Sequence, residues 1–271
     1  EPGAPLYRAR DLARLYEAEG ERIFARSVWH RLRSVGAVAE EKYTSRGVDE
    51  VVQETFGEVR ISQALTPVLV TAYDIELRQP HFFKSHKAAV DPRRDFRMAD
   101  AARATSAAPT YFEPALIRAR EEEDRVALVD GGVFANNPAA CALVEAMTFF
   151  GRPVEDIALL SLGTGEYTRP ILYEEASGWG LARWAQPILD VVFDGVNDTV
   201  DYQVRALMET LAGRDRYCRI QAQLQEGRDS LDDAGETNLK MLKLLAKDLI
   251  RRHHRELDDW AAFLTAGPPR G

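Results

Sequence analysis

A chain of 271 residues, 45% hydrophobic and 29% charged, has the make-up of a globular protein and is long enough for one large α/β domain. Its formal charge of −8 and pI near 5.3 argue against a nucleic-acid partner and against electrostatic attraction to anionic membranes. The two cysteines, Cys141 and Cys218, lie inside apolar patterns and support neither a disulfide framework nor a zinc site. No apolar run reaches the roughly 18 residues that span a bilayer.

The chain opens Glu1-Pro2-Gly3-Ala4-Pro5, as a loop would, with no initiating Met and too polar a start for a signal peptide. A fragment or a processed product is the expectation. Leu12, Leu15, Tyr16, Ile23 and Phe24 recur at helical spacing behind Asp11, and Val48, Val51, Val52 and Thr55 share one face of a second helix over Val48–Phe56, with Thr44 or Ser45 as its cap. Both helices read as core-facing, and Gly36–Lys42 between them as loop.

Val68–Tyr73, apolar and β-branched after Pro67, reads as a buried strand. Asp74–Gln79 then turns into a more exposed strand over Pro80–Lys84. His81 and His86 have no third ligand nearby, so they read as surface histidines and no metal site is expected. Asp91–Asp95 is a charged loop. Met98–Ser106 is an Ala-rich helix ended by Ala108-Pro109. Ser106 lacks the flanking glycines of an exposed serine nucleophile, so a packing role is the better reading.

Glu121–Asp124 is an acidic turn. Beyond it comes Arg125-Val-Ala-Leu-Val-Asp130-Gly131-Gly132-Val-Phe-Ala-Asn-Asn137-Pro138. Val126–Val129 predicts a strand buried on both faces. Gly131 and Gly132 permit positive φ, hence a sharp turn where the Asp130 carboxylate emerges. Asn137 as N-cap and Pro138 at N1 predict a helix through Ala139–Phe150. Asp-Gly after a strand is also the common hairpin signal. On the α/β reading, Asp130 lies at the tip of a parallel strand and faces a concave, mainly apolar cleft.

Val154–Leu162 reads as another strand, ended by Gly163-Thr164-Gly165. No Lys-Ser/Thr follows those glycines, which argues against nucleotide binding. In Arg169–Asp194, Trp179 and Trp184 stand near Gly178 and Gly180. The stretch is either a mobile flap or interfacial contact at a cleft mouth or a buried helix, and the spacing of Ile188, Val191 and Val192 favours the helix. Val196–Leu211 is helical, Tyr217–Leu224 alternates like a strand, and Gln225–Glu236 is a polar loop. The last long helix buries Leu239, Leu242, Leu245, Leu249 and Ile250. His253-His254 lies in its basic last turn, where it complements the helix dipole, and a frayed tail covers 265–271.

Ala104-Thr-Ser-Ala-Ala-Pro-Thr-Tyr-Phe112, Asp130-Gly131-Gly132 and Ser161-Leu-Gly-Thr-Gly165, in that order, resemble the patatin-like lipid acyl hydrolases from about Tyr7 to about Ile250. The resemblance implies a three-layer α/β/α fold around a mostly parallel sheet. It also implies a Ser–Asp dyad in which Asp130 is the base. The substrate class is a lipid or ester, and no cofactor is implied. Neither Gly-x-Ser-x-Gly nor the family's Gly-rich oxyanion loop occurs in this chain. Both normally precede the position of Tyr7, so one domain incomplete at its N-terminus is expected, without its first strands and inactive by itself. Its partner is then a complementary N-terminal segment or chain. The alternative is a non-catalytic patatin-like module that binds lipid or protein. The expected location is the cytoplasm or the membrane periphery.

Overall fold

The structure, a computed structural model, describes residues 3–24, 43–119, 125–166, 170–184, 187–213, 216–224 and 232–266. The expected loop at 36–42, acidic turn at 121–124 and tail beyond 266 lie outside those residues. Thr265 and Ala266 belong to the last helix rather than to a frayed end.

The apolar runs become strands. β1 (Leu69–Asp74) and β2 (Gln79–Lys84) form a hairpin. Its turn is held by Asp74 Oδ1, which accepts from Glu76 N and Leu77 N at 2.9 and 2.8 Å. With β3 (Ala115–Arg118) and β4 (Arg125–Asp130) they make a four-stranded sheet of order β2-β1-β4-β3. Ala127, Leu128 and Val129 are buried, as expected. Every pairing in this sheet is antiparallel, however, with Ala72 opposite Asp130 and Leu128 opposite Ala115. The parallel setting expected for the Asp130 strand is therefore corrected: an apolar run reports burial on two faces, not the direction of its neighbours. Parallel pairing occurs in a second sheet, where β5 (Leu159–Leu162) lies beside β6 (Tyr217–Ile220). The fold class is α/β, as read.

Helices cover these sheets for identifiable reasons. In α1 (Ala9–Ile23) the periodicity is real, but Leu12 and Tyr16 are exposed rather than core-facing. Periodicity names a face without naming what covers it. In α2 (Arg46–Phe56) Val48 and Val51 are buried, as expected. The short α3 (Ser85–Ala88) continues from β2. In α4 (Met98–Thr105) the small side chains of Ala101 and Ala104 let the helix lie close on the sheet, against Ile61, Phe83, Phe96 and Leu128. Arg103 of that helix is buried and donates to Asp49 Oδ1 of α2 at 2.7 Å.

After Asp130 come α5 (Gly132–Ala135) and α6 (Ala139–Thr148). The strand expected from Val154 is split, a 3-10 turn at Val154–Asp156 preceding β5. α7 (Tyr173–Ala176), α8 (Leu181–Trp184) and α9 (Pro187–Leu211) follow. Val204 and Met208 of α9 pack with Leu143, Ile157 and Tyr217 into a separate core under β5 and β6. The expected last helix is two, α10 (Glu236–Arg252) and α11 (His254–Ala266), breaking at His253. Leu239, Leu242, Leu245 and Leu249 are half-buried, and Ile250 is exposed where burial was expected. His254 opens the next helix instead of closing this one.

Candidate active site

Asp130 is held by its own backbone before its side chain does anything. Its N–H donates to Ala107 O at 3.0 Å, and Ala72 lies opposite it across the sheet. The next residue turns at once into α5. Gly131 achieves this with φ −65° and ψ −17°, an ordinary right-handed conformation, so the expected positive φ is corrected. Glycine is needed there for another reason: a Cβ would stand 2.2 Å from Thr71 Oγ1 and 2.4 Å from Thr71 O. The requirement is close approach to β1.

Gly132 N donates to Asp130 Oδ1 at 2.7 Å. Among the described residues Oδ2 accepts no hydrogen bond. Burial lifts the Asp130 carboxyl above the ordinary aspartate range, and the Gly132 N–H pulls it partway back. Phe134 of α5 packs on Tyr73 and Phe82, with ring centroids 6.2 and 5.8 Å apart. One carboxylate oxygen is thus pinned and the other is free in partly dry surroundings, the condition of a base that can take a proton. The hairpin reading fails, because a helix follows Asp130.

A cleft of about 960 Å³ opens between the start of β1, α6, β5 and the first turns of α9. Asp130 does not line it, which corrects the expected outlook of its carboxylate. The same turn reaches the cleft through Asn136 and Asn137. The expected cap is shifted by one residue: Pro138, not Asn137, is the N-cap of α6, and Asn137 just before it has its Oδ1 accepting from Ala139 N at 3.2 Å.

The cleft floor is polar. Arg219 Nη1 donates to Ser161 Oγ at 2.7 Å and Nη2 to Asn197 Oδ1 at 2.8 Å. Ser161 Oγ donates to Asn137 Oδ1 at 3.3 Å. Sequence reasoning found Ser161 only as part of a strand-end motif and missed Asn197 and Arg219. Their residue types in an amphipathic helix and a short strand carry no signal of a shared site.

Trp179 lines the cleft, its ring centroid 5.3 Å from that of Trp184. Ile188, Val191 and Val192 are exposed, against the favoured reading of a buried helix. The histidines are corrected too. His81 packs between Phe83 and Phe96, and His86 stacks on Phe149 with Nε2 3.0 Å from Glu145 Oε1. Burial lowers the pKa of both.

The family model for patatin-like phospholipase matches residues 7–143. Patatin-like protein 4 of Arabidopsis thaliana is 32% identical over 92% of this chain and 67% of its own length. Patatin-T5 of Solanum tuberosum is 29% identical over 93% and 68%. This chain belongs to the patatin-like phospholipase family. Another similar protein, "Probable inactive patatin-3-Kuras 1" of Solanum tuberosum, is 29% identical over 93% of this chain and 70% of its own length. The family-model match covers α1 through the first half of α6, including Asp130, while β5, α9 and β6, which floor the cleft, lie beyond it. Among the described residues no helix is long and apolar enough to cross a membrane.

Proposed function

We propose that the chain carries the base of a lipid acyl hydrolase, Asp130, in a Ser–Asp dyad whose serine is supplied from outside these residues. The observation that carries this reading is the state of the carboxylate: Oδ1 fixed by Gly132 N–H, the group desolvated and, among the described residues, Oδ2 unengaged and no cation paired with it. In the reaction a serine Oγ attacks the ester carbonyl as Asp130 takes its proton. Asp130 returns that proton to the leaving alcohol, and water then releases the acyl group by the same route. No Gly-x-Ser-x-Gly stands in the sequence to provide that hydroxyl.

The exposed apolar residues around the cleft mouth, with Trp179 at its wall, form the contact with a lipid surface in this reading. The test is hydrolysis of a short-chain nitrophenyl ester and of a phospholipid by the chain alone, by the chain completed with a nucleophile segment, and by the Asp130→Asn form of each. Turnover is expected only in the completed protein, and Asp130→Asn abolishes it. Asp130-dependent turnover by the chain alone would instead indict Ser106, next to the Ala107 carbonyl that binds Asp130 N–H. No turnover after completion leaves the non-catalytic module.

A further inference from the structure

The antiparallel sheet ends in β3, and among the described residues nothing pairs with its outer edge. In an antiparallel pair every second residue turns its N–H and C=O away from the neighbouring strand. The outer side of β3 therefore keeps a row of backbone donors and acceptors ready for a further strand. A groove of about 370 Å³ follows this edge, lined by residues 116–119 and by Arg60, Arg97 and Asp100.

The groove gathers three arginines in a chain whose net charge is −8. Ile61 N donates to Phe96 O at 3.0 Å and Met98 N to Val59 O at 2.7 Å, so Arg60 and Arg97 stand opposite each other in a short bridge. The buried Ile61 and Phe96 anchor that bridge in the core. Arg97 is neutralised: its Nε and Nη2 donate to Asp100 Oδ2 and Oδ1 at 3.0 and 2.7 Å, and its Nη1 to Glu58 Oε1 at 3.2 Å. Arg60 is not. Its Nη1 donates to the Asp95 carbonyl, and among the described residues no carboxylate pairs with it. Nor does one pair with Arg118, which faces the exposed Arg125 directly across the strand pair. Like charges set opposite one another destabilise a sheet, and a carboxylate laid beside them relieves the repulsion.

We propose that β3 is a docking edge for an extended acidic segment of a partner protein, which joins the sheet as a fifth strand and lays its carboxylates on Arg60 and Arg118. The backbone edge supplies the pairing, and the arginines select the charge of the side chains. A free oxyanion would meet the arginines and leave the edge unpaired. A second copy of this chain does not supply the charge, because none of the edge strands β2, β3, β5 and β6 carries a carboxylate. The segment that brings a serine to Asp130 has its place elsewhere. Leu116 stands opposite Ala127, about 10 Å along β4 from Asp130, and residues 117–119 lie farther still. The docking edge and the dyad therefore stand or fall separately.

Fluorescence anisotropy with a labelled hexapeptide alternating glutamate and valine tests it on the chain as it stands. That peptide should bind about tenfold or more tightly than its counterpart with lysine in place of glutamate. Methylating its backbone nitrogens keeps every charge and removes the strand's donors, so binding should fall about tenfold or more. Arg118→Gln, at an exposed position, should weaken the glutamate peptide about fivefold with an unchanged urea midpoint, and Arg60→Gln by a similar factor. The Arg118 variant keeps the test decisive if losing the Arg60 contact with Asp95 disturbs folding. Arg255→Gln, exposed on α11 and outside the groove, should change nothing. No binding of the glutamate peptide, equal binding of its methylated form, or a loss at Arg118 no larger than at Arg255 overturns the proposal.

Discussion

Ala72, Phe83 and Leu128, on three neighbouring strands of the antiparallel sheet, are at most 1% exposed, whereas on β5 Leu162 is 67% exposed. The two regions differ in how they are closed. In the first sheet β1 and β4 each pair on both sides, and the alanines of α4 seal one face. In the second, β5 pairs with β6 and with no other strand among the described residues, and its edge faces the cleft. The closed sheet sets Asp130 opposite Ala72 and its N–H is held by Ala107 O, while the open pair offers space and exposed apolar groups. In the proposed reading the first region positions Asp130 and the second meets the substrate, and substitutions should separate those roles.

The largest effect should come from hollowing the closed sheet. Phe83→Ala removes a fully buried ring packed edge-on to Phe96, with centroids 5.2 Å apart. About 3–5 kcal/mol of stability should be lost, read as a shift in the urea midpoint. Gly131→Ala comes next. Its methyl would be driven into Thr71, at a cost of about 1–3 kcal/mol through backbone displacement. Gly178→Ala, in the open region with nothing within 4 Å, should change stability by less than about 0.5 kcal/mol. Equal losses at Gly131 and Gly178 would remove the distinction between the regions.

Asp130→Asn sharpens the comparison in the other direction. Burial holds the folded-state pKa of Asp130 above its unfolded value, so the folded protein keeps the proton to higher pH. Stability therefore falls as pH rises from the unfolded aspartate value of about 3.9 through the folded one, and is level beyond it. Asn has no charge to desolvate, and its Oδ1 still accepts from Gly132 N. The variant should melt higher than the parent at neutral pH, with the gap closing as pH falls through the raised folded-state pKa towards about 3.9. A gap independent of pH would mean that Asp130 is not desolvated.

The same contrast explains what could be read from the sequence. The strand over Val126–Val129, the helices at Val48–Phe56 and Met98–Ser106, and the special geometry at Asp130 are local, each written in consecutive or i, i+3, i+4 residues. Strand direction is not local: Ala72 opposite Asp130 depends on a pairing that no run of apolar residues encodes. Nor do two glycines tell positive φ from close approach, since the difference is the position of Thr71. The cleft floor was illegible for the same reason. Asn137, Ser161, Asn197 and Arg219 come from the turn before a helix, a strand, a long helix and a parallel strand, and they meet only in three dimensions. In Arg169–Asp194, Pro170, Gly178, Gly180 and Pro187 punctuate a stretch in which Leu172, Tyr173, Leu181, Ile188, Val191 and Val192 are exposed, so core spacing misled.

Those exposed residues give the smallest expected effect on the fold and the clearest separation of roles. Leu181 is 93% exposed and Tyr173 is exposed as well, both near the cleft mouth and touching no buried cluster. Replacing both with Ser removes apolar area that is already in water, so each change should move stability by less than about 0.5 kcal/mol. If these residues enter a lipid surface, each loses about 1.5–3 kcal/mol of apolar transfer at full burial. Partial insertion then predicts at least a tenfold loss of sedimentation with phosphatidylcholine vesicles, and a smaller blue shift of tryptophan fluorescence on adding them. Unchanged sedimentation would detach the mouth from the lipid surface. A lowered unfolding midpoint would instead show that the open region is packed after all.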